Sequence, residues 1–247
     1  MRSVTAEHSD VNDLGQPLGH LVAGWTPRPR PTARPMEGRW CRLEPLDPAR
    51  HADDLYRANS ADEQGRMWTY LPYGPFESLA AYRAWVEGVA GRDDPMFFAV
   101  VDGEGRAVGV AALQRIDPEN GIIEVGHLAY SPALQATTAA TEAMALLMRL
   151  VFEELGYRRY EWKCDSLNAA SRRAAQRLGF VYEGVFRQAV VVKGRNRDTA
   201  WLSITDAEWP RLAAAYERWL VPDNFEPEGG QRLALSKLTV SDPPPER

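Results

Sequence analysis

The chain has 247 residues, of which 45% are hydrophobic, and its formal net charge at pH 7 is −5. This composition predicts a soluble globular protein with enough apolar residues for a core, and the negative charge argues against nucleic-acid binding. The sequence contains no run of about 18 apolar residues, so it predicts no membrane span. The first residues also lack the apolar segment of a signal peptide. We therefore expect a cytoplasmic protein without a membrane partner.

The two cysteines, Cys41 and Cys164, both lie in predicted strands. Their number and spacing indicate neither a disulfide framework nor a metal site. We expect two buried thiols in a reducing compartment and no bound metal.

Residues 1–35 are predicted to form an extended N-terminal arm, because the stretch from Trp25 is rich in proline and arginine and cannot build a core. Two interpretations are open: an arm that binds a partner or a phosphate group, and a solvated tail in which Trp25 packs on the domain. The second is favoured. The domain is expected to span residues 36–221, followed by a tail at 222–247. Four apolar residues of that tail predict an added edge strand: Leu233, Leu235, Leu238 and Val240.

In the first half of the domain, the sequence predicts a strand at 39–46, a helix at 48–61 and a second helix after Ser78. Serine is a favourable N-cap residue, which places the start of that helix. The apolar runs at 96–102 and 107–117 flank a glycine-rich turn and predict a β-hairpin.

The central stretch predicts a strand, a loop, a long helix, a strand and a second helix. Their predicted bounds are 122–130, 131–138, 139–155, 158–164 and 168–178. Apolar residues at three- and four-residue spacing indicate the helices, and Gly156 and Gly179 end them. A strand–helix–strand unit implies parallel strands with a right-handed crossover. The loop that leads into the long helix is a candidate anion site, because free N–H groups and the helix dipole meet there.

The chain closes with a predicted hairpin of strands at 181–192 and 197–204 and a last helix, capped by Asp206, that ends near residue 221. This alternation of strands and helices predicts an α/β fold.

Several short motifs of the domain occur in a fixed order. They include Gly126-His127-Leu128-Ala129-Tyr130-Ser131-Pro132, Leu155-Gly156-Tyr157-Arg158-Arg159, Glu161-Trp162-Lys163-Cys164, Asn168-Ala169-Ala170-Ser171, Leu178-Gly179-Phe180 and Lys193-Gly194-Arg195-Asn196-Arg197-Asp198. With this ordered set, the chain from 36 to 221 resembles the GNAT superfamily of acetyl-CoA-dependent N-acetyltransferases. It is most similar to the branch that acetylates ribosomal-protein N-termini, and within it to the acetyltransferase domain of the microcin C self-immunity protein.

The resemblance implies a GNAT fold: a mixed, mostly antiparallel sheet flanked by helices, with a splayed parallel strand pair at the cofactor site. It also implies direct attack of an acceptor amine on the thioester of acetyl-CoA. The expected acceptor is a small-molecule amine, such as an aminoacyl-nucleotide or an antibiotic. Two alternatives stay open: a protein N-terminal amine as acceptor, and a non-catalytic acyl-CoA-binding module. A monomer and a homodimer are both compatible with the sequence.

The resemblance further implies where acetyl-CoA binds. The backbone of Leu128, Ala129 and Tyr130 would hold the pantetheine arm. The following loop would hold the pyrophosphate. Ala136 and Thr138 stand where the family usually has glycine. The backbone N–H groups of the loop are still expected to donate to the phosphates, and its threonine hydroxyls to donate as well. The expected cofactor-binding residues after the strand are Gln135, Ala136, Thr137, Thr138, Ala139, Ala140, Thr141, Asn168 and Ser171.

Catalysis requires a proton for the departing thiolate and a neutral amine. Many members of the family place a tyrosine general acid at the position of Ala175, so Ser171 is the candidate acid here. Glu124 and His127 are the candidates for the base. They lie three apart in a strand and are therefore expected to face opposite sides, so that only one faces the site; Glu124 is favoured. A role as ion-pair partner or core residue is the alternative for each.

An aromatic stretch precedes the second helix, in the region that forms the acceptor wall in the family. Trp68, Tyr70 and Tyr73 are expected to bind the substrate by stacking or cation–π contact, together with His127. Packing against the core is an equally open interpretation.

Charged residues of the closing hairpin are candidates for binding an acidic or phosphate-bearing substrate. They are Arg187 and residues 195–198, although a solvated tip is the simpler interpretation. Lys163 and Glu161 are predicted to be a surface ion pair.

Overall fold

The computed structural model describes residues 10–226 and 230–239. The strands are β1 (Asp10–Val11), β2 (Pro17–Leu18), β3 (Met36–Glu37), β4 (Cys41–Pro45), β5 (Met96–Asp102), β6 (Ala107–Asp117), β7 (Ile122–Tyr130), β8 (Arg159–Asp165), β9 (Val181–Val192) and β10 (Arg195–Thr205). The α-helices are α1 (Pro48–Asn59), α2 (Leu79–Val89), α3 (Thr138–Arg149), α4 (Ala169–Arg177), α5 (Trp209–Trp219) and α6 (Leu235–Thr239). The predicted order of elements from β4 to α5 is therefore confirmed.

Strands β3 to β10 form one sheet in the order β3-β4-β5-β6-β7-β8-β10-β9. Neighbouring strands are antiparallel except β7 and β8, which are parallel. The parallel register runs from Ile122–Arg159 to Val125–Trp162 and goes no further. The C-terminal halves of β7 and β8 therefore separate and leave a gap, which confirms the predicted splayed pair.

Helices cover both faces of the sheet, and the alternation of side chains in β5 shows why. Phe98 and Val100 belong to the core that includes α3 and α5. Phe97 and Ala99 belong to a second core with α1 and α2. Successive side chains of a strand point to opposite faces, so an apolar β5 requires cover on both.

The long helix α3 connects β7 to β8, the two strands that flank the gap. It begins at Thr138, one residue before the predicted start, and continues beyond Arg149 as a π-helical turn, Leu150–Glu154. Gly156 follows with φ of +67°, a left-handed conformation that glycine adopts without steric cost. The Ser78 cap is also observed, since its hydroxyl accepts the Ala81 N–H at 3.2 Å.

Two predictions at the C-terminal side are wrong. Asp206 does not cap α5: the residue before the helix is Glu208, whose carboxylate instead accepts the Thr205 N–H at 2.7 Å. The predicted edge strand is the helix α6, which packs against α5 with Leu235 fully buried. The Asn224 side chain turns the chain back by bonding the backbone N–H and C=O of Leu233.

Of the N-terminal arm, residues 10–35 are described, and part of this segment packs on the domain. The indole N–H of Trp25 donates to the Glu119 carbonyl at 2.9 Å, and its ring lies against Gly121, at the start of β7. The Arg28 guanidinium lies 4.4 Å from the ring centroid. The rest of the predicted arm (1–9) and the end of the predicted tail, Val240 included, lie outside the described residues. Within the described ranges, no helix has both the length and the apolar character of a membrane span.

Candidate active site

A cavity of about 550 Å³ occupies the gap between β7 and β8. Its walls come from the separating ends of these strands, the start of α4, the loop at 67–72 and the β9–β10 hairpin. A volume of this size suits a small-molecule ligand. The cavity brings together several predicted site residues: Tyr70, Glu124, His127, Leu128, Asn168 and Ser171.

A bulge in β7 places two of these residues on the same side. The register with β6 shifts between Gly126 and Ala129, where β7 has one extra residue, and His127 has φ of +51°. Glu124 and His127 therefore both line the cavity. The prediction that they face opposite sides is wrong, because a bulge interrupts the two-residue alternation of the strand.

The Glu124 carboxylate is buried and fully engaged. One oxygen accepts the Gln114 amide at 2.7 Å, and the other lies 3.1 Å from Arg115 Nη1 and 3.0 Å from Lys163 Nζ. Lys163 Nζ also lies 2.7 Å from Glu161 Oε2. The predicted pairing of Lys163 with Glu161 is confirmed, but its predicted surface location is wrong, since both side chains are less than 10% exposed, at 5% and 7%. The ring of Trp201 covers the ammonium, 3.8 Å from its centroid.

Ser171 is held at the start of α4. Asn168 is the N-cap residue, and its side-chain oxygen accepts the Ser171 N–H at 3.1 Å. The Trp162 indole donates to Ser171 Oγ at 2.9 Å, so the serine hydroxyl is left to donate its own proton. Burial raises the pKa of the neighbouring Cys164 thiol, and a hydrogen bond from Ser171 opposes that rise.

The aromatic loop contributes less to the cavity than predicted. Trp68 is only 4% exposed and belongs to the core with α1 and α2, so the structure does not support its predicted substrate contact. Tyr73 is not among the cavity-lining residues; its hydroxyl lies 3.2 Å from His127 Nδ1. Burial, followed by the Arg115 charge, lowers the pKa of His127 below its ordinary value, which favours a neutral imidazole at pH 7.

The β9–β10 hairpin closes the cavity from the sheet edge. Its turn has only two residues, Lys193 and Gly194, both with positive φ, as in a type I′ turn. The Lys193 ammonium donates to the carbonyls of Trp68 and Gly74, each at 2.9 Å. Arg187 lies in a bulge of β9, is exposed, and does not line the cavity, so its predicted substrate contact is also unsupported.

The N-terminus of α3 presents free backbone donors, as an anion site requires. The Gln135 and Thr137 amides donate to nearby carbonyls, and the Ala140 amide donates to the Thr137 hydroxyl. The remaining amides of this stretch have no acceptor among the described residues: those of Ala136, Thr138 and Ala139.

Two of the three threonine hydroxyls have hydrogen-bond partners within the described chain. Thr137 Oγ1 donates to the Leu134 carbonyl at 2.7 Å. Thr141 is buried, and its hydroxyl contacts the Thr137 carbonyl and Arg177. Donation of these hydroxyls to a phosphate stays a prediction, and it would require them to give up these partners.

The predicted cofactor residues around the end of β7 differ in their surroundings. The Gln135 side-chain amide donates to the Tyr130 carbonyl at 2.8 Å, and Ala129 is buried with its backbone in register with Val110. The Tyr130 hydroxyl is buried without a partner in the described chain. Leu128 is the only one of the three predicted pantetheine-binding residues that lines the described cavity.

Sequence reasoning missed the residues that support the site from β6, β8 and β10. Gln114, Arg115, Trp162 and Trp201 all line the cavity. One sequence signal could have indicated this wall. Arg197, Thr199 and Trp201 alternate along β10, and this spacing places three side chains with hydrogen-bond donors on one face of the strand.

The mixed sheet and its splayed parallel strand pair are those expected of the GNAT acetyltransferase fold. A family model described as the acetyltransferase (GNAT) domain matches residues 41–181. The crystal structure of a GCN5-related N-acetyltransferase from Brucella melitensis is 48% identical and has a TM-score of 0.86, covering 88% of this chain and 99% of that one. The chain therefore belongs to the GNAT acetyltransferases, which use acetyl-CoA to acetylate amines.

Two further relatives bear on the narrower resemblance. YdaF of Bacillus subtilis (strain 168), named as a candidate ribosomal N-acetyltransferase, is 28% identical over 106 residues, 43% of this chain and 57% of that protein. Mycobacterium smegmatis RimJ in complex with CoA-disulfide is 20% identical with a TM-score of 0.60, over 71% of this chain and 87% of that one, and shares the fold. The predicted GNAT membership is confirmed, whereas the likeness to the microcin C self-immunity protein stays a prediction.

Proposed function

We propose that this acetyltransferase acetylates the primary amine of a small molecule, of the aminoacyl-nucleotide or antibiotic type. The observation that carries the proposal is the cavity of about 550 Å³ in the gap between β7 and β8. It is walled by a hairpin that Lys193 ties to the 68–74 loop. A cavity enclosed in this way favours a small acceptor molecule over a long peptide.

The proposed donor site lies at the start of α3. The three unpartnered amides of Ala136, Thr138 and Ala139 and the positive end of the helix dipole suit a pyrophosphate. Leu128, Asn168 and Ser171 line the gap where the thioester end would lie. Acetyl-CoA supplies a carbonyl carbon activated for attack by its thiolate leaving group. Ala136 already has the left-handed φ of +60°, so the loop keeps its turn without the glycine usual in the family.

We assign the proton transfers to Ser171 and Glu124. The amine nitrogen forms a bond to the acetyl carbon as the bond from that carbon to sulfur breaks, and the amine loses one proton. Ser171 donates its hydroxyl proton to the departing sulfur and regains a proton from solvent. The incoming ammonium loses a first proton to water held at the Glu124 carboxylate, which leaves a neutral amine to attack, and the second proton, released as the amide forms, leaves to solvent by the same route. Arg115 and Lys163 hold the carboxylate in place. The products are the N-acetylated amine and coenzyme A.

A protein N-terminal amine is the second candidate acceptor. The feature that favours it is β9, an edge strand with Val191 76% exposed, which an extended peptide can pair with. Initial rates with small primary amines and with short peptides of free N-terminus distinguish the two, and turnover of the peptides alone would refute the small-molecule assignment.

The donor site is tested with a charge placed at the start of α3. Ala139 is the second residue of α3, and Ala80 is the second residue of α2. Aspartate at either position suits the charge of a helix N-terminus. Because Ala139 packs partly against the core and Ala80 is exposed, the melting temperature of both variants is measured alongside binding to establish that each is folded. We expect Ala139→Asp to weaken coenzyme A binding at least tenfold in calorimetry and Ala80→Asp to leave it unchanged. Equal binding by both variants would refute the pyrophosphate site, and binding without transfer to any amine would indicate a non-catalytic module.

A further inference from the structure

Strand β10 lines the cavity with three hydrogen-bond donors on alternate residues, Arg197, Thr199 and Trp201. In the described part of the chain, Arg197 Nε, Thr199 Oγ1 and Trp201 Nε1 are buried and have no hydrogen-bond partner. Thr199 is itself only 4% exposed. A buried polar group without a partner costs about 1–3 kcal/mol. Three such groups on one wall therefore call for a ligand that accepts their hydrogen bonds.

One cationic side chain of the cavity has no carboxylate partner within the described chain. Three cationic side chains line the cavity, and two of them, Arg115 and Lys163, pair with Glu124. Arg197 forms no ion pair with a carboxylate of the described chain. The nearby Asp165 instead accepts the Leu167 N–H at 2.9 Å. Arg197 is thus a cation directed at the cavity and available to an anion.

The neighbouring strand β9 has a different chemistry. It pairs with β10, and its Phe186 and Val191 line the cavity while 57% and 76% exposed. Phe186 also packs against Trp201, with ring centroids 4.4 Å apart. A ligand with both an apolar part and oxygen acceptors would contact both strands.

We propose that the acceptor amine carries an anionic oxygen group, a carboxylate or a phosphate ester, which Arg197 binds while Thr199 and Trp201 donate to further oxygens of the same molecule. The proposal rests on the proposed function, since it describes the acceptor of that reaction. Alternate residues of a strand are about 7 Å apart, so the row is longer than one carboxylate and suits an extended molecule. A charge-assisted hydrogen bond to a guanidinium is about twice as strong as a neutral one, which makes Arg197 the principal determinant.

The hairpin provides a matched control. Arg195 lies two residues before Arg197 on the same strand, is exposed, and does not line the cavity. Arg197→Gln and Arg195→Gln remove the same charge from the same strand. Only the first removes it from the cavity wall.

The test compares kcat/KM for two pairs of amines with the full chain and both variants. Phenylalanine and phenethylamine differ by a carboxylate, and O-phosphoethanolamine and ethanolamine differ by a phosphate ester. We expect the unmodified enzyme to prefer the anionic member of one pair at least tenfold. Arg197→Gln should lower that preference at least tenfold, and Arg195→Gln should retain it. The pair that shows the effect identifies the anion as carboxylate or phosphate.

Two results would overturn the inference and leave the proposed function standing: equal kcat/KM within both pairs, or a preference that Arg197→Gln retains. Should no amine be acetylated, calorimetric titration of phenylalanine and O-phosphoethanolamine into the coenzyme A-saturated protein decides. Saturable binding weakened by Arg197→Gln supports the inference, and the absence of binding overturns it. Failure to bind coenzyme A itself would instead refute the proposed function.

Discussion

Lys163 is the residue whose replacement tests the buried charge network most directly. Its ammonium is 5% exposed and lies 3.0 Å from Glu124 and 2.7 Å from Glu161. At an effective dielectric constant of about 20, each contact corresponds to roughly 5–6 kcal/mol of attraction before desolvation is subtracted. Lys163→Met keeps the approximate length of the side chain and removes the charge.

The expected loss of stability is smaller than this gross attraction. Breaking a buried ion pair costs about 3–5 kcal/mol, because the remaining charge stays buried. Here each carboxylate keeps an arginine, Arg115 for Glu124 at 3.1 Å and Arg159 for Glu161 at 2.7 Å. We therefore expect Lys163→Met to lower the free energy of unfolding by about 3 kcal/mol, the lower end of that range.

Urea unfolding at pH 7, followed by tryptophan fluorescence, measures this change. Lys237→Met is the matched control, since Lys237 is exposed on α6, and its effect should stay within about 0.5 kcal/mol. The double variant Lys163→Met/Glu124→Gln should lose less unfolding free energy than the sum of the single variants, because it also removes the carboxylate that Lys163→Met leaves with one cation fewer. A loss below about 1 kcal/mol for Lys163→Met, or strict additivity, would refute the network argument.

Three other changes have defined outcomes. Ser171→Ala should lower kcat roughly 100-fold and weaken coenzyme A binding by a much smaller factor; Ser236→Ala on α6 is the control, and equal rates would remove Ser171 from the mechanism. Ala136→Gly should raise the melting temperature by a few degrees, since it relieves roughly 1 kcal/mol of left-handed strain at φ of +60°; a lower melting temperature would contradict this. Hydrogen bonds from Arg159 lower the pKa of Glu183 below its ordinary 4.5. The carboxylate therefore stabilises the fold above pH 4.5, and this contribution is lost as the pH falls through the lowered pKa. Glu183→Gln should accordingly destabilise the protein at pH 7, with the difference from the unmodified chain vanishing in acid; a difference independent of pH in urea titrations would contradict it.

The architecture around the gap could be predicted from local patterns. An apolar run beside a glycine-rich turn indicated β5, and Ser78 and Gly156 indicated helix ends, because each of these signals acts over a few residues. The helix α6 could not be predicted, since the Asn224 side chain turns the chain there by contacts with Leu233. A short apolar stretch takes its conformation from the surface on which it packs.

The candidate site was predicted less well than the fold. The bulge at His127 aligned two side chains that a regular strand separates. The burial of Lys163 depended on Trp201, a residue from a strand that is adjacent in space and distant in sequence. The contact between Thr141 and Arg177 of α4 could not be predicted, because the two residues are 36 positions apart in the sequence.

By itself, the sequence determined the order of the elements, the family, and the helix N-terminus beside the gap, because periodicity, capping and ordered motifs are local properties of the chain. The tertiary structure decided which charges meet and which donors stay unpaired in the cavity. The physical reason is that ion pairs and burial depend on side chains brought together from separate strands, as Lys163, Glu124 and Trp201 are. No spacing along one strand specifies such a meeting.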